Sequence, residues 1–393
     1  MTIALDRDQA FLEQVKRIAV EVAAVHADTV DRDARFPIEA VTALREVGAL
    51  SAYIPVERNG GGVSLRAIAQ ACFELGRRCS ATAMVFAMHQ IQIATIVRHL
   101  DGVWFEEYLR RVAAEQRLVA SVTSEVGTGG DMGRSIAPVT PTEDGRLSFV
   151  KQAPTVSYGE HADDLFTTVR RSVSAEQQDQ VLVLHHSEQT ELELKGTWDT
   201  IGMRGTCSPG FEVRARFDPE QILRAPFSTV MNESHVPISH ILWSHGWLGI
   251  ATEAFERGRA FVRAAARRGR AGSDAPLPAA HSLSRVMSEL FMLRAEVRSG
   301  LEDFIGEGEE IDRERLGTMA SILRFNNLKL AASEQAPRIC SAVLEVIGIM
   351  AYKNDSPYGV GRQLRDALSA RLMVANERIH AVDAGLLLIA KEV

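Results

Sequence analysis

The sequence separates helix-type and strand-type patterns into three consecutive blocks, and this separation constrains the fold more than any other feature. Residues 1 to about 117 read as helices, since segments such as FPIEAVTALREVGAL carry apolar residues at helical spacing. From about 118 to 228, short β-rich runs such as LVASVTS and QVLVLHH are separated by glycine, proline and aspartate. Helical spacing returns at about residue 236 and continues in four long amphipathic segments.

These blocks predict an α+β fold that is mostly α. We expect an N-terminal helical domain over residues 1–117, a middle antiparallel β domain over 118–228 and a C-terminal four-helix bundle over 229–393. Residues 64–100 are long, largely apolar and free of proline, so they predict a buried helix pair that begins at a Ser64 cap. A Rossmann domain is disfavoured, because helices and strands do not alternate and no GxGxxG follows a strand.

Composition excludes several classes of function. The formal net charge is −7, so we expect no nucleic-acid partner. The four cysteines are scattered without a CxxC pair, which predicts reduced thiols and no metal site. The N-terminal segment lacks the apolar core of a signal peptide, and no uninterrupted apolar run approaches the roughly 20 residues of a membrane span. The expectation is a soluble, cytoplasmic protein with no membrane partner.

A glycine-rich segment, VTSEVGTGGDM at residues 122–132, follows the first predicted strand. A turn of this kind brings backbone N–H groups close to a ligand, here around Gly129 and Gly130. The small hydroxyls of Thr123 and Ser124 can donate to a ring carbonyl or a phosphate. The segment alone fits a ligand loop and an ordinary polar β-turn about equally well.

Three later segments follow in a fixed order: TVS at 155–157, IGMRGTCS at 201–208, and EVIGIMAY at 345–352 with RQLRDA at 362–367. Together with the glycine-rich segment they resemble, in order and over about 250 residues, the motifs of the acyl-CoA dehydrogenase family. The resemblance implies a helical domain, a β domain and a helix bundle that assemble as homodimers or homotetramers. It also implies FAD between the β domain and the bundle, and an acyl thioester as substrate.

Carried over residue by residue, the resemblance implies that Thr123, Ser124 and Ser157 hold the isoalloxazine ring beside Gly129 and Gly130. Thr155 stands where the family usually has a tryptophan that shields the ring.

The resemblance also assigns residues to the rest of the cofactor. Glu345 and Gly348 would face the FAD of a partner subunit, although the family prefers glutamine at the first position and a second glycine where Ile349 stands. An arginine after the first bundle helix would meet the pyrophosphate, and a solvated basic face is the alternative interpretation. The register leaves three candidates for that arginine: Arg267, Arg268 and Arg270.

The sequence departs from the family at the catalytic base, which is normally a glutamate that removes the α-proton of the thioester. In most members the glutamate lies seven residues after the RDA triplet, and that position is Val374. The alternative position, early in the first bundle helix, corresponds to about Ser239. The nearest carboxylate, Glu233, is expected to lie outside that helix.

Three residues are weak candidates for a replacement base. His240 and His245 flank Trp243 on the predicted helix, although packing or local hydrogen bonding explains them more simply. Glu377 lies nearly one helical turn beyond Val374. The segment LMVANERI predicts an uninterrupted helix where the family breaks with glycine, which indicates a remodelled pocket.

The sequence leaves three functions open. The first is an FAD-dependent, acyl-CoA dehydrogenase-like oxidoreductase that acts on the CH–CH group of an acyl thioester of CoA or a carrier protein. The second is a flavin-dependent monooxygenase or hydroxylase of the same fold, which needs no glutamate. The third is a non-catalytic flavin-binding protein. One fold hosts several chemistries, so the fold does not choose among them.

Overall fold

The computed structural model describes residues 2–269, 278–306 and 313–390, with the backbone alone for residues 2–4, 268 and 269. Six helices form the first block: α1 Thr2–Ile18, α2 Ala24–Arg32, α3 Ile38–Glu46, α4 Leu65–Arg78, α5 Ser80–Arg98 and α6 Val103–Glu115. Ser64 caps α4, because its Oγ accepts a hydrogen bond from the Ala67 N–H at 3.2 Å. The helix pair predicted for residues 64–100 is therefore present as α4 and α5.

Helix α5 is the central helix of the N-terminal domain. It is the one described helix with the length and hydropathy of a membrane span, but 89% of its most apolar window is buried inside the protein. Its circumference is covered by neighbouring helices and by the first strand, which explains why apolar residues appear on all of its faces.

Eight strands follow: β1 Val119–Val122, β2 Thr140–Pro141, β3 Leu147–Ala153, β4 Asp164–Arg170, β5 Gln180–His186, β6 Thr190–Leu194, β7 Phe211–Phe217 and β8 Ile222–Leu223. They form two four-stranded sheets, in the orders β1-β4-β5-β8 and β2-β3-β7-β6. The pairings between the described strands are antiparallel apart from β1 with β4, which is parallel. The chain crosses to the second sheet between β1 and β4, and such a crossover permits a parallel pair.

The last block contains eight helices within the described residues: α7 Phe227–Val230, α8 Val236–Gly269, α9 Pro278–Ile305, α10 Arg313–Leu316, α11 Met319–Ile347, α12 Ile349–Tyr352, α13 Gly361–Leu368 and α14 Asn376–Leu387. Three of the four long helices predicted for the bundle correspond to α8, α9 and α11. The fourth, predicted from residue 367 onwards, overlaps only the end of α13, is interrupted by a turn at residues 372–375 and continues as α14. The predicted uninterrupted LMVANERI helix is therefore wrong, and Val374 lies at the break with φ +47°.

The N-terminal domain and the bundle meet where α4 crosses α8. A Cβ at Gly76 would lie 2.4 Å from the Gly246 carbonyl oxygen, and one at Gly249 would lie 2.4 Å from the Phe73 carbonyl oxygen. Glycine at Gly76 and Gly249 thus lets the two backbones approach closely. The same helix α8 also packs against α5, so this crossing fixes the relative position of all three helices.

Candidate functional site

Three of the sequence motifs meet beside the end of β1. The Ser124 Oγ donates to the Thr155 carbonyl oxygen at 2.7 Å, which joins the glycine-rich segment to the loop after β3. The Ser157 Oγ accepts from the Ser208 Oγ at 2.9 Å, which adds the loop at 201–208. Thr123, Ser124 and Ser157 belong to these adjoining segments and are all partly exposed, and we call this group of hydroxyls the polar edge.

The glycine-rich loop needs its glycines. Gly127, Gly129 and Gly130 have φ of +92°, +62° and +80°, in the left-handed region where other residues are strained. The N–H groups of Gly129 and Gly130 donate to no acceptor in the described part of the chain. The Arg378 guanidinium donates to the Gly129 carbonyl oxygen, and a Cβ at Gly130 would lie 3.0 Å from Arg378 Nη1. The loop therefore combines free backbone donors with a contact from α14.

A buried ion pair anchors the returning end of this loop. The Glu125 carboxylate accepts from the N–H groups of Ile136 and Ala137 at 2.9 and 2.7 Å and from the Ser135 Oγ at 2.7 Å. Lys151 Nζ lies 3.5 Å from the same carboxylate, and burial lowers the pKa of Lys151 to about 8. Glu125, although part of the motif, thus stabilises the loop instead of facing a ligand.

A second buried lysine lies beneath the break at Val374. Lys329 Nζ is 2.5 Å from the Asn376 Oδ1 and 3.4 Å from the Val374 carbonyl oxygen. Burial lowers the pKa of Lys329 to about 8. The Asn376 amide also donates to Glu334 Oε1 at 3.4 Å. Lys329 and Glu334 are thus titratable groups beside the family's base position.

Lys329 and Glu334 were not among the residues predicted from the sequence. Both lie on α11, more than 35 residues before Val374 in the chain, and neither belongs to a motif. The one usable signal was a lysine flanked by apolar residues in the segment LKLAA at 328–332.

The weak base candidates from the sequence lie in ordinary surroundings. The Nδ1 atoms of His240 and His245 are 2.9 and 2.8 Å from the carbonyl oxygens of Phe325 and Ile241. Burial lowers the pKa of His240 to about 3 and that of His245 to about 4, so both rings are neutral. Glu377 is exposed.

The alternative base position also carries no carboxylate. Ser239 is buried, and its Oγ donates to the His235 carbonyl oxygen at 2.5 Å. Glu233 lies before α8, in a π-helical turn, Met231–His235, that leads directly into that helix. The helical backbone runs without a break from α7 through this turn into α8.

The residues assigned to the distal part of the cofactor are placed as follows. Glu345, Gly348 and Ile349 are exposed at the C-terminal end of α11. Arg267 is exposed near the end of α8. The side chain of Arg268 and the whole of Arg270 lie outside the described residues. Contacts of these residues with a cofactor or a second subunit stay predictions.

Known proteins resemble this chain along its length. The N-terminal domain family of acyl-CoA dehydrogenases matches residues 6–116. Acryloyl-CoA reductase (NADH) of Anaerotignum propionicum is 24% identical over 100% of this chain and 96% of that protein. Cyclohex-1-ene-1-carbonyl-CoA dehydrogenase of Syntrophus aciditrophicus is 27% identical, but the match spans only 32% of this chain and 31% of that protein.

Two solved structures share the whole architecture. Butyryl-CoA dehydrogenase from Megasphaera elsdenii superimposes with a TM-score of 0.82 at 18% identity, over 98% of both chains. The matched N-terminal domain, the full-length relative and this structure together support an acyl-CoA dehydrogenase-like family for the chain. FMN-bound TdsC from Paenibacillus sp. A11-2 gives the same TM-score of 0.82 at 19% identity, over 96% of this chain and 97% of that one.

The family and the fold predicted from the sequence are thus confirmed. The acyl-CoA dehydrogenase-like fold accommodates both a dehydrogenase and a protein that binds FMN, and at these identities the structural likeness establishes the architecture alone. The polar edge and the glycine loop must therefore be interpreted from their own chemistry.

Proposed function

We propose that this acyl-CoA dehydrogenase-like protein is a flavin-dependent monooxygenase. The observation that carries the proposal is that both base positions of the family hold side chains that take no proton at neutral pH, Val374 and Ser239. Abstraction of an α-proton needs a base, and its loss typically costs about 10²–10⁴-fold in rate. An oxygenation does not depend on that base.

The polar edge suits a planar ring with polar atoms along one side. Thr123, Ser124 and Ser157 would hold the ring edge, and the N–H groups of Gly129 and Gly130, which have no acceptor among the described residues, would donate to oxygen atoms of the same ligand. A reduced flavin held there would supply the two electrons for an oxygenation in which one atom of molecular oxygen enters the substrate and the other leaves as water. The protein's own contribution is to bind the ring and to hold the loop through Arg378 and Glu125.

FAD is the cofactor that we propose, because the family's segments for it are recognisable here. The carboxylate of Glu345 replaces a neutral glutamine and would lie near anionic phosphates, which weakens FAD binding by charge repulsion. Parallel titrations with FAD and FMN measure which cofactor the protein retains. TdsC, which shares the fold, carries FMN.

A second function, dehydrogenation of an acyl thioester, is favoured by one specific observation. Lys329 and Glu334 lie beside the Val374 turn, and an amine with a pKa near 8 or a carboxylate can accept the α-proton. A relative that covers the whole chain, acryloyl-CoA reductase, also acts on an acyl thioester by its name.

Two measurements on the flavin-loaded protein distinguish these functions. Under anaerobic conditions a panel of saturated acyl-CoA thioesters is expected to bleach the flavin absorbance very slowly or not at all. The chemically reduced protein is expected to consume oxygen and to oxygenate a thioether or an amine. Rapid bleaching by a simple acyl-CoA would overturn the monooxygenase proposal. Glu334→Gln and Lys329→Met would then identify the base as the substitution that abolishes bleaching without releasing flavin.

We also propose that the protein is a homodimer or homotetramer. Exposed apolar side chains gather in the C-terminal segment, among them Leu372, Leu388 and Ile389, which are 79%, 86% and 64% exposed. A second copy that covers these side chains removes apolar surface from water. Light scattering at micromolar concentration measures the assembly, and a monodisperse monomer contradicts it.

A further inference from the structure

Two buried hydroxyl groups lie behind Ser157 of the polar edge. Ser208 is 2% exposed and Thr206 is 4% exposed, and both belong to the loop at 201–208. The Ser208 Oγ donates to the Ser157 Oγ at 2.9 Å, and the Thr206 Oγ1 lies 2.9 Å from the same Ser208 Oγ. Because both groups are buried, neighbouring protein atoms and not bulk water decide where each hydroxyl hydrogen points.

Backbone hydrogen bonds hold Ser157 in register with this loop. The Val156 N–H donates to the Pro209 carbonyl oxygen at 3.0 Å, and the Tyr158 N–H donates to the Thr206 carbonyl oxygen at 2.8 Å. These two donors lie on either side of Ser157 in the sequence. The backbone of both segments therefore keeps the Ser157 hydroxyl beside the loop.

The Met203 carbonyl oxygen determines the direction of the Thr206 hydroxyl. It accepts from the Trp198 Nε1–H and from the Thr206 N–H, each at 3.1 Å. A carbonyl oxygen has two lone pairs, and these two N–H donors occupy both. The Thr206 Oγ1 also lies within donating distance of this oxygen, at 2.8 Å, but it would be the third donor. The Ser208 Oγ is thus the better acceptor for the Thr206 hydrogen.

The Met203 backbone is held in turn by the bundle. Its N–H donates at 2.7 Å to Oδ1 of Asp366, a buried residue of α13. Met203 has a φ of +51°, in the left-handed region where residues other than glycine are strained. The hydrogen bond from Asp366 stabilises this conformation and so keeps the Met203 carbonyl oxygen beside Trp198 and Thr206.

The order of the hydroxyl hydrogens leaves one of them free. Each hydroxyl has a single hydrogen, so a chain in which Thr206 donates to Ser208 and Ser208 donates to Ser157 leaves the Ser157 hydrogen unused. Ser157 donates to no acceptor in the part of the chain that the structure describes. Hydrogen bonds that follow one another in a chain polarise each other, which makes the last hydroxyl a stronger donor.

We propose that Thr206 and Ser208 are positioning residues that hold Ser157 as a hydrogen-bond donor towards an acceptor atom of the flavin ring. Neither residue would touch the ring itself. The inference rests on the flavin binding of the proposed function, but not on oxygenation. It requires that the ring atom beside Ser157 be an acceptor, such as an unprotonated nitrogen or a carbonyl oxygen.

The test is a double-mutant cycle on flavin binding, in which the full-length protein is titrated with FAD and with FMN. Ser157→Ala is expected to weaken binding about tenfold, the effect of one well-placed hydrogen bond, and Ser208→Ala about threefold, because Ser157 then keeps its hydroxyl but loses its direction. If Ser208 acts through Ser157, the double variant binds flavin about as tightly as Ser157→Ala alone. Independent losses that multiply in the double variant overturn the proposal.

A matched pair of substitutions tests Thr206. Thr206→Val removes the hydroxyl at nearly constant shape and is expected to weaken flavin binding about twofold, whereas Thr206→Ser keeps the hydroxyl and matches the wild type. At saturating flavin, Thr206→Val and Ser208→Ala are expected to shift the visible absorption maximum of the flavin in the same direction as Ser157→Ala. A loop that is only loosened weakens binding without this shift, and that result overturns the proposal. Thr252→Val, which removes a buried hydroxyl from α8, is the control and leaves both measurements unchanged.

The outcomes distinguish this proposal from the proposed function. Melting temperatures show whether each variant is folded, and the cycle between Ser157 and Ser208 decides if Thr206→Val does not fold. Coupled flavin binding together with rapid bleaching by an acyl-CoA thioester refutes the monooxygenase but supports the hydroxyl chain. Flavin binding without coupling refutes the hydroxyl chain alone, and binding of neither FAD nor FMN refutes both.

Discussion

Two buried lysines lie in different domains of the molecule, and their surroundings differ in one respect. Lys151, in the β domain, is paired with the Glu125 carboxylate at 3.5 Å. Lys329, in the bundle, has the Asn376 side-chain oxygen and the Val374 carbonyl oxygen as its hydrogen-bond acceptors. Burial lowers the pKa of both to about 8. The comparison shows that two buried amines can be held in different ways: Lys151 pairs directly with a carboxylate, whereas Lys329 donates to uncharged oxygens and has the Glu334 carboxylate only in its surroundings.

The glycine-rich loop is therefore held by different contacts on its two sides. On the β-domain side, Glu125 joins Lys151 to the backbone N–H groups of Ile136 and Ala137. On the bundle side, Lys329 stabilises the break before α14, and Arg378 of α14 reaches the Gly129 carbonyl oxygen. Each support thus depends on one buried amine, but only the first pairs that amine directly with a carboxylate.

The largest expected effect on the free energy of unfolding comes from breaking the ion pair between Lys151 and Glu125. Lys151→Met leaves the Glu125 carboxylate buried without its cation, and removal of one partner of a buried pair costs about 3–5 kcal/mol. Urea denaturation at pH 7 measures the free energy of unfolding. Lys329→Met is the matched control, and we expect it to cost less, about 1–2 kcal/mol, because it removes hydrogen bonds but strands no charge. Equal losses in the two variants would show that the two environments are energetically alike.

The pH dependence of stability sharpens the same comparison. Both lysines have folded-state pKa values of about 8, below the ordinary value of 10.5. Between these values the unfolded chain binds more protons than the folded one, so the free energy of unfolding rises with pH. Each lysine contributes at most about 1.4 kcal/mol per pH unit.

Urea denaturation at pH 7.5, 9 and 10.5 measures this rise for the wild type and for Lys151→Met and Lys329→Met. Each single variant is expected to lose about half of it, and below pH 8 no slope from these groups is expected. An unchanged slope in Lys329→Met would mean that its amine already has an ordinary pKa.

The smallest expected effect concerns the backbone at Val374, whose carbonyl oxygen accepts a hydrogen bond from Lys329. Val374 is β-branched and has a φ of +47°, a conformation that costs about 1–2 kcal/mol for residues other than glycine. Val374→Gly is therefore expected to stabilise the folded protein by up to about 1 kcal/mol, after the loss of its partly buried side chain. A calorimetric melting temperature measures the change.

The double variant Val374→Gly with Lys329→Met tests whether the two features belong together. If Lys329 compensates for the strain at Val374, the double variant is less destabilised than the sum of the single variants predicts. Strict additivity would show that the break forms without help from the lysine.

Prediction from the sequence succeeded where the signal is local and periodic. The order of helical and β blocks is visible because each element covers many residues with one period, and Ser64 has the side chain that an N-cap needs. The meeting of Ser124 with Thr155 and of Ser157 with Ser208 was implied only by the resemblance.

Prediction failed where a tertiary contact overrides local preference. LMVANERI contains several good helix formers and neither glycine nor proline, yet the helix breaks at Val374, where Lys329 of α11 donates to the freed carbonyl oxygen. The sequence around Val374 gives no indication of a contact with Lys329, and the sequence around Lys329 gives none of a contact with Val374. Glu334 was missed for the same reason, since its link to Asn376 joins positions that are distant in the chain.

The amino-acid sequence by itself determined the block architecture, the resemblance to the acyl-CoA dehydrogenase family and the absence of a carboxylate at position 374, because these depend on residue identity and on spacing within single segments. Only the tertiary structure decided which charges are buried, which are paired and which donors lack acceptors. Those properties arise when α5, α8, α11 and the glycine-rich loop exclude water from one another, and the cost of an unpaired polar group appears only after that exclusion.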